Sequence, residues 1–190
     1  KVRPETAGAV LEKIKAASRP VLNAGSGIRI GQAYDVFLRV AKKLGIPVVT
    51  GWNSLDCMCD DHPLYTGRAG GMGDMPGNFA VQNSDLLLSL GSRLSIRQVG
   101  YNYETWARAA YVIVNDIDPE ELKKPSVHAF GFGDFRIQGD PGAPLIFRRK
   151  GLRFHELEPN LPHVEREVSG GPSPALRRRR EGTGKCVCFY

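Results

Sequence analysis

The chain of 190 residues has an apolar fraction of 42% and a formal net charge of +6. This length suits one domain with a tail or two small domains, and the apolar fraction is ordinary for a globular protein with a buried core. No run of about 18 apolar residues is present, which predicts no membrane span. The first residues lack the apolar segment of a signal peptide. We therefore expect a cytoplasmic protein.

The excess positive charge lies mainly toward the C-terminus, above all in the run Arg177–Arg180. This run has no interleaved aromatic residues, so we expect a solvated stretch and no binding of nucleic acid. The four cysteines form two pairs with one intervening residue, Cys57 with Cys59 and Cys186 with Cys188. Zinc sites usually separate paired ligands by two to four residues. We therefore expect reduced thiols and no metal site.

The N-terminal half of the chain predicts helices and strands in alternation. Glu5–Ala17 has apolar residues at helical spacing, and this helix is predicted to end before Pro20. A short buried strand follows and stops at Gly25. The next helix is predicted from about Gly31 to Leu44, with Gly45 at its C-terminal end.

Three further strands are predicted. Ile46–Thr50 is β-branched and apolar without alternation, which is typical of strands covered on both faces in parallel sheets. Residues 51–77 read as a loop that is long for a compact domain, and such loops tend to be functional. A helix is predicted to begin near Asp74. The remaining buried strands are Ser84–Gly91 and Tyr111–Asp118.

Strands that alternate with helices predict an α/β fold, here a Rossmann-like parallel sheet with flanking helices. Ligands of such sheets bind at the carboxyl ends of the strands. The predicted strand ends carry glycine and polar residues at Gly25–Gly27, Thr50–Asn53, Gly91–Arg93 and Asn115–Asp118. We expect these four segments to meet at one edge of the sheet and to form a binding site.

The residue types at these strand ends favour a nucleotide-like ligand. The turn Gly25–Gly27 would let a phosphate approach the backbone at a helix N-terminus, with Arg29 as a bidentate partner. The same turn is also typical of a strand-to-helix connection without a ligand. Arg93 favours a phosphate contact over a surface ion pair. Asp116 matches the strand-end acid that binds a ribose, while helix capping suits Asp118 better.

Other side chains are weaker candidates. Trp52 and Tyr101 are suited to stacking on a flat ring, but a core position is the better expectation for either residue alone. The acids before His62 are read as a solvated turn. No Ser/His/Asp or Cys/His arrangement indicates a nucleophile, so the sequence predicts no catalytic residue.

The character of the sequence changes at Ala129. Residues 129–190 are rich in Gly, Pro and Arg and have no sustained period. We predict one domain over residues 1–128 and an irregular tail over residues 129–190. This tail is either disordered or an off-frame translation of GC-rich coding sequence.

Four segments resemble, in order and spacing, the central domain of thiamine-diphosphate-dependent enzymes of the acetolactate synthase group. They are Arg19–Arg29, Lys43–Asp56, His62–Asn102 and Val112–Lys124. The most telling part is Ser84–Arg93, which reads SDLLLSLGSR. The resemblance covers about residues 4–127.

In that family three α/β domains follow one another, and the middle one is Rossmann-like. The resemblance implies that this domain binds FAD or ADP, or has an architectural role with no ligand. It implies thiamine diphosphate and magnesium only in a full-length parent, because the chain lacks a GDG motif and the domain with the activating glutamate. That parent would be a homo-oligomer that decarboxylates a 2-keto acid and joins the fragment to a second keto acid. The chain alone would be inactive.

Carried over residue by residue, the resemblance implies cofactor contacts at the strand ends and in the long loop. These residues are Gly25, Ser26, Gly27, Gly51, Trp52, Asn53, Gly70, Gly71, Met72, Gly91, Ser92, Arg93, Arg97, Asp116 and Ile117. Flavin-binding members have a histidine in place of Met72. They also have Phe-Asp-Asp between the two arginines, where this chain has Leu-Ser-Ile. These departures leave FAD, ADP and an empty site open.

Two other classes of protein stay open. NAD-dependent deacylases have a similar fold and a glycine-rich first turn, but they need a catalytic histidine and, usually, cysteine pairs of wider spacing. A stand-alone binding or regulatory module would use the basic tail for nucleic acid and would show steep salt dependence.

Overall fold

The computed structural model describes residues 4–125 and the backbone of residues 136–138. The strands in this part of the chain are β1 (Pro20–Ala24), β2 (Val48–Thr50), β3 (Tyr65–Arg68), β4 (Leu86–Leu90), β5 (Tyr111–Asp116) and β6 (Arg136–Gln138). They form one sheet in the order β3-β2-β1-β4-β5-β6, and every adjacent pair is parallel. The predicted α/β fold with a Rossmann-like parallel sheet is confirmed.

One helix precedes β1, and the others lie in the connections between the strands. They are α1 (Pro4–Ala16), α2 (Gly27–Ile30), α3 (Tyr34–Leu44), α4 (Met75–Asn83) and α5 (Ile96–Val99), with short 3-10 helices at Trp52–Cys57, Tyr103–Thr105 and Glu121–Lys123. The helix predicted from about Gly31 begins only at Tyr34, as α3, and the separate short helix α2 precedes Gly31. Gln32 lies between them with a left-handed φ of 52°, and this conformation interrupts the α-helical hydrogen bonding.

The strand β3 is the main element that the sequence does not predict, because residues 51–77 read as a loop. Its four residues include a glycine with φ of 125°, and glycine is depleted in strands. Pairing with β2, in the register Thr50 to Arg68, gives this segment its extended form. The strand ends at Arg68 and so adds a fifth carboxyl end to the predicted site.

Two apolar clusters cover the two faces of the sheet. On one face, α1 and α3 pack on β1, β2, β4 and β5, with Phe37 and Ala41 of α3 fully buried. On the other face, α4 and residues 94–122 pack on alternate strand residues, with Val81 and Trp106 as central contacts. Each of the central strands is thus apolar on both sides, as the unalternating strand sequences predicted.

One short strand lies in the segment after residue 128, which is predicted to be irregular. There, β6 pairs with β5 in the register Val114 to Arg136. The remainder of that segment, including Arg177–Arg180, lies outside the described residues, so its lack of regular structure stays a prediction. Within the described ranges, no helix is both long and apolar enough to cross a bilayer.

The strand order places a switch point between β1 and β4. The chain proceeds from β1 outward to β2 and β3, and then returns to the other side of β1 as β4. The connections that leave β1 and β4 therefore lead to opposite faces of the sheet. A crevice opens between such connections, and ligands of parallel sheets bind there.

Candidate functional site

A cleft of about 370 Å³ lies at this switch point. Its size is within the range of small-molecule sites. The loops after β1, β2, β3 and β4 all contribute to its lining, which is Gly25, Ser26, Gly51, Trp52, Asn53, Ser54, Arg68, Ala69, Met72, Ser92, Arg93, Ser95, Ile96, Arg97 and Gln98. Three of the four predicted strand-end segments thus meet in this cleft, whereas Asn115–Asp118 does not contribute to its lining.

Nine of the fifteen predicted site residues line this cleft: Gly25, Ser26, Gly51, Trp52, Asn53, Met72, Ser92, Arg93 and Arg97. The other six, which are Gly27, Gly70, Gly71, Gly91, Asp116 and Ile117, do not belong to its lining. Their predicted contacts with a cofactor stay predictions. The structure shows what several of them do in the fold.

The glycines after β1 and β4 allow two loops to pack backbone to backbone. The N–H of Gly25 donates to Leu90 O, and the N–H of Gly27 donates to Gly91 O, both at 2.9 Å. A Cβ atom at Gly25 would lie 2.3 Å from Gly91 O. Gly91 itself has a left-handed φ of 60°. Close approach of the neighbouring loop, rather than of a ligand, is therefore what requires glycine at Gly25 and Gly27.

The geometry does not support a phosphate contact from Arg29. Its Nη2 donates to Asp56 O at 2.7 Å, and its Nε lies 2.8 Å from Asp56 Oδ2. The guanidinium group also lies over the ring of Tyr34. The first N–H groups of α2 are occupied as well, since Ile28 N–H donates to Gly25 O. The start of this helix is consequently a weaker anion site than the sequence suggests.

Two arginines at the cleft remain accessible to a ligand. Arg93 is 70% exposed and lies 3.4 Å from Glu121 through its Nη2. Glu121 is only 17% exposed, but it also pairs with Lys124, so its charge stays compensated when Arg93 turns to another anion. Arg97 is exposed, and no described residue forms an ion pair or hydrogen bond with its side chain. Together they give the cleft a positive rim.

The side chain of Asp74 supports the loop that carries Met72. Its carboxylate accepts hydrogen bonds from Gly77 N–H at 2.8 Å and from Arg68 N–H at 2.9 Å. It thereby caps α4, which begins near Asp74 as predicted, and fixes the end of β3. Partial burial raises the pKa of Asp74, but these bonds and the Arg68 charge outweigh it, so the pKa is lowered. Asn78 adds two bonds to the backbone of Gly70.

Gly70 and Gly71 pack against the backbone of α5. The N–H of Gly71 donates to Arg97 O at 2.9 Å, and a Cβ atom at Gly70 would lie 2.8 Å from the same oxygen. Both glycines thus lie against the backbone of Arg97, whose side chain lines the cleft. Their position links the long loop to α5.

Asp116 and Ile117 lie at the end of β5, one strand beyond β4. Burial raises the pKa of Asp116, although its carboxylate accepts a hydrogen bond from Asp118 N–H at 3.0 Å. The negative charge of Glu121 acts in the same direction as burial. The N–H of Gly91 donates to Asn115 O, so the two strand ends are adjacent. The predicted ribose contact stays a prediction.

The part of the chain that the structure describes holds no group of three or more His, Cys, Asp or Glu side chains arranged for a metal ion. Neither Cys57, which is buried, nor Cys59, which is partly buried, forms a disulfide bond with a described residue. The pKa of Cys57 is raised from 9.0 to about 12, chiefly by burial and also by the charge of Asp56, while the charge of Arg29 acts in the opposite direction. Its Sγ lies 3.8 Å from Gly25 O, beneath the glycine turn.

We expect Cys57 to resist alkylation in the folded protein. The thiolate is the reactive species, so at pH 8 iodoacetamide should modify Cys59 at least about tenfold faster than Cys57. Fragment-ion mass spectrometry of the peptide that carries both cysteines measures the two rates. In urea the two rates should converge. Equal rates without denaturant would contradict the tight packing of Cys57 under Gly25.

The structure adds site residues that the sequence analysis did not single out. Ser54 Oγ accepts from Gly51 N–H and donates to Ala24 O, which ties the loop after β2 to β1. Arg68 lines the cleft because it ends β3, and recognition of that strand would have found it. Gln98 is buried on α5, and nothing in its local sequence distinguishes it from an exposed helix residue.

The sequence is similar to those of known proteins. A family profile described as "Thiamine pyrophosphate enzyme, central domain" matches residues 7–144. The match includes the whole described region from α1 to β6 apart from the first helical residues. It also includes the first part of the segment that is predicted to be an irregular tail.

Curated relatives agree with this profile. The chain is 40% identical over 148 residues to "Acetolactate synthase" of Mycobacterium avium, covering 78% of this chain and 23% of that protein. It is 38% identical over 144 residues to "Probable acetolactate synthase large subunit" of Methanocaldococcus jannaschii, covering 73% and 23%. It is 33% identical over 118 residues to "Sulfoacetaldehyde acetyltransferase" of Alcaligenes xylosoxydans xylosoxydans, covering 60% and 19%.

The chain spans about a quarter or less of the length of these relatives. The profile match, the parallel sheet and the four resembling segments all concern the same region. The chain therefore belongs to the thiamine pyrophosphate enzymes and carries their central domain.

Proposed function

We propose that the cleft binds an adenine nucleotide, FAD or ADP, through its diphosphate. The observation that carries this proposal is the pair Arg93 and Arg97 at the rim of a cleft at the sheet's switch point. Guanidinium groups bind phosphate in a bidentate manner. Both groups belong to the loop and helix that follow β4, so one ligand can contact both.

The remaining lining supports a ligand with both a polar and a flat apolar part. Trp52, Met72 and Ile96 are 47%, 63% and 50% exposed although they are apolar. Stacking of a ring on such side chains would cover this apolar surface. Ser26 and Asn53 add hydrogen-bonding groups to the same lining. The chemistry of the cleft thus fits a nucleotide, and an adenine or a flavin ring would satisfy it equally.

We further propose that the full-length parent is an acetolactate synthase-like transferase. It would decarboxylate a 2-keto acid and join the fragment to a second keto acid, with thiamine diphosphate and magnesium bound outside this domain. The names of the relatives support this assignment, as does the family profile. In this proposal the parent is a cytoplasmic homo-oligomer, and the central domain contributes a cofactor site or architecture and no catalytic residue.

Calorimetric titration of the chain with ADP, FAD and NAD tests the nucleotide proposal. We expect saturable binding of ADP or FAD and a loss of about 10–100-fold in affinity for Arg97→Ala, since a hydrogen bond to a charged group contributes about 1.5–3 kcal/mol. Arg93→Ala should act in the same direction. Arg108→Ala is a matched control, because Arg108 is also exposed but lies outside the cleft lining.

The possible outcomes separate the candidate functions. Binding of NAD without binding of ADP or FAD would favour the deacylase-like alternative and contradict the proposal. Lack of binding by a chain whose circular dichroism shows a folded α/β domain would leave an architectural role. An equal loss of affinity in Arg93→Ala, Arg97→Ala and Arg108→Ala would indicate general electrostatic attraction rather than this cleft.

A further inference from the structure

Four buried polar side chains form a continuous chain of hydrogen bonds beneath the cleft. Asn23 Nδ2 donates to Ser89 Oγ at 2.9 Å, Gln98 Nε2 donates to Asn23 Oδ1 at 2.7 Å, and Ser92 Oγ donates to Gln98 Oε1 at 3.0 Å. All four side chains are buried. A break in such a network leaves buried polar groups without partners, which makes the arrangement specific.

Gln98 is the residue that joins this network to the cleft. It lies on α5, directly after Arg97, and it lines the cleft floor. Its carboxamide connects β1, through Asn23, with the loop after β4, through Ser92. A Cβ atom at Gly51 would lie 3.2 Å from Gln98 Oε1. One side chain therefore bonds to β1 and to the loop after β4, and it lies next to the loop after β2.

The loop between β4 and α5 depends on the same network. Leu94 has a left-handed φ of 45°, a conformation that costs energy for a residue other than glycine. Its N–H donates to Ser92 Oγ at 3.3 Å, and that hydroxyl is oriented by Gln98. The segment that carries Arg93 and Arg97 is thus held in an unfavourable conformation by buried hydrogen bonds.

We propose that Gln98 is a positioning residue of the nucleotide site. Its carboxamide holds α5 and residues 92–95 against β1, and so places the guanidinium group of Arg97 at the cleft before a ligand binds. Such preorganisation raises affinity because less conformational entropy is lost on binding. The inference rests on the proposed binding of an adenine nucleotide, and it assigns to Gln98 no contact with the phosphates.

The test compares Gln98→Met with Ser89→Ala. Gln98→Met keeps the length of the side chain but removes both of its hydrogen bonds. Ser89→Ala removes a hydrogen bond from the other end of the network and leaves the bonds of Gln98 intact, so it is a control for loss of stability. We expect Gln98→Met to lower ADP affinity about tenfold and adenosine affinity less than about threefold, and Ser89→Ala to change neither by more than about threefold.

A double-mutant cycle with Arg97→Ala shows whether Gln98 acts through that arginine. In the Arg97→Ala background, Gln98→Met should cause little further loss of ADP affinity, because residues that act as a unit are not additive. Additive losses of ADP affinity, or equal losses in Gln98→Met and Ser89→Ala, would overturn the role of Gln98 but not the proposed function. No binding of ADP by the wild-type chain would overturn it together with the proposed function.

Hydrogen exchange provides a readout that needs no ligand. The N–H groups of Val99 and Gly100 donate to Ser95 O and Ile96 O within the turn of α5. They should exchange at least about tenfold faster in Gln98→Met than in Ser89→Ala. Similar rates in the two variants would contradict the positioning role. If Gln98→Met does not fold, Ser92→Ala takes its place, because it removes the bond to Gln98 with little change in volume.

Discussion

Replacement of Gly25 by alanine is expected to lower the free energy of unfolding by about 3 kcal/mol or more. The added methyl group would lie 2.3 Å from Gly91 O and 2.5 Å from Ser92 Cα. Both are backbone atoms, so no side-chain rotation relieves the overlap. The loops after β1 and β4 would have to separate, and the hydrogen bond from Gly25 N–H to Leu90 O would be lost. The cleft would change shape with them.

Urea unfolding followed by circular dichroism measures this effect, with Gly8→Ala as the matched control. Gly8 lies within α1, and a methyl group there would meet no other atom within 4 Å. Alanine favours a helix over glycine by about 1 kcal/mol, so Gly8→Ala should stabilise the protein. A Gly25→Ala variant as stable as the wild type would show that the two loops do not pack as described.

Asp74→Asn is expected to destabilise the protein by about 2 kcal/mol at pH 7. The carboxamide of this variant can still cap α4 by accepting from Gly77 N–H, but its amide nitrogen would then face Arg68 N–H. A partly buried donor would be left without an acceptor, and the ion pair of Asp74 with Arg68, at 3.4 Å, would be lost. Asp61→Asn removes the same charge from an exposed turn and should have little effect.

The destabilisation by Asp74→Asn should depend on pH. The pKa of Asp74 is lower in the folded protein than its usual value of about 3.9. Its carboxylate therefore contributes stability above that value, and the contribution is lost as the pH falls through the lowered pKa. Urea unfolding of both proteins across this range measures the effect, and the difference in unfolding free energy should shrink between about pH 5 and about pH 3. A difference independent of pH would contradict this role.

The sequence was sufficient for the fold class because local signals and burial agree along most of the chain. Apolar strands without alternation predicted a parallel sheet, and the capping residues Asp74 and Gly45 mark helix ends where the structure has them. Strand β3 was missed because its short, glycine-containing sequence has little strand propensity. Its extended form comes from pairing with β2, a contact that the tertiary structure provides.

For the candidate site, too, local sequence predicted one part and tertiary contacts decided the rest. Strand-end glycines and arginines predicted where a cleft would form, since the carboxyl ends of parallel strands share one edge. Which residues face the cleft was decided by tertiary contacts. Arg29 pairs with Asp56, whereas Arg97 has no ion-pair partner among the described residues. Gln98 became part of the cleft floor only because Asn23 and Ser92, far from each other in sequence, both reach its carboxamide. Such long-range hydrogen bonds cannot be predicted from residue types and spacing, so only the folded structure shows them.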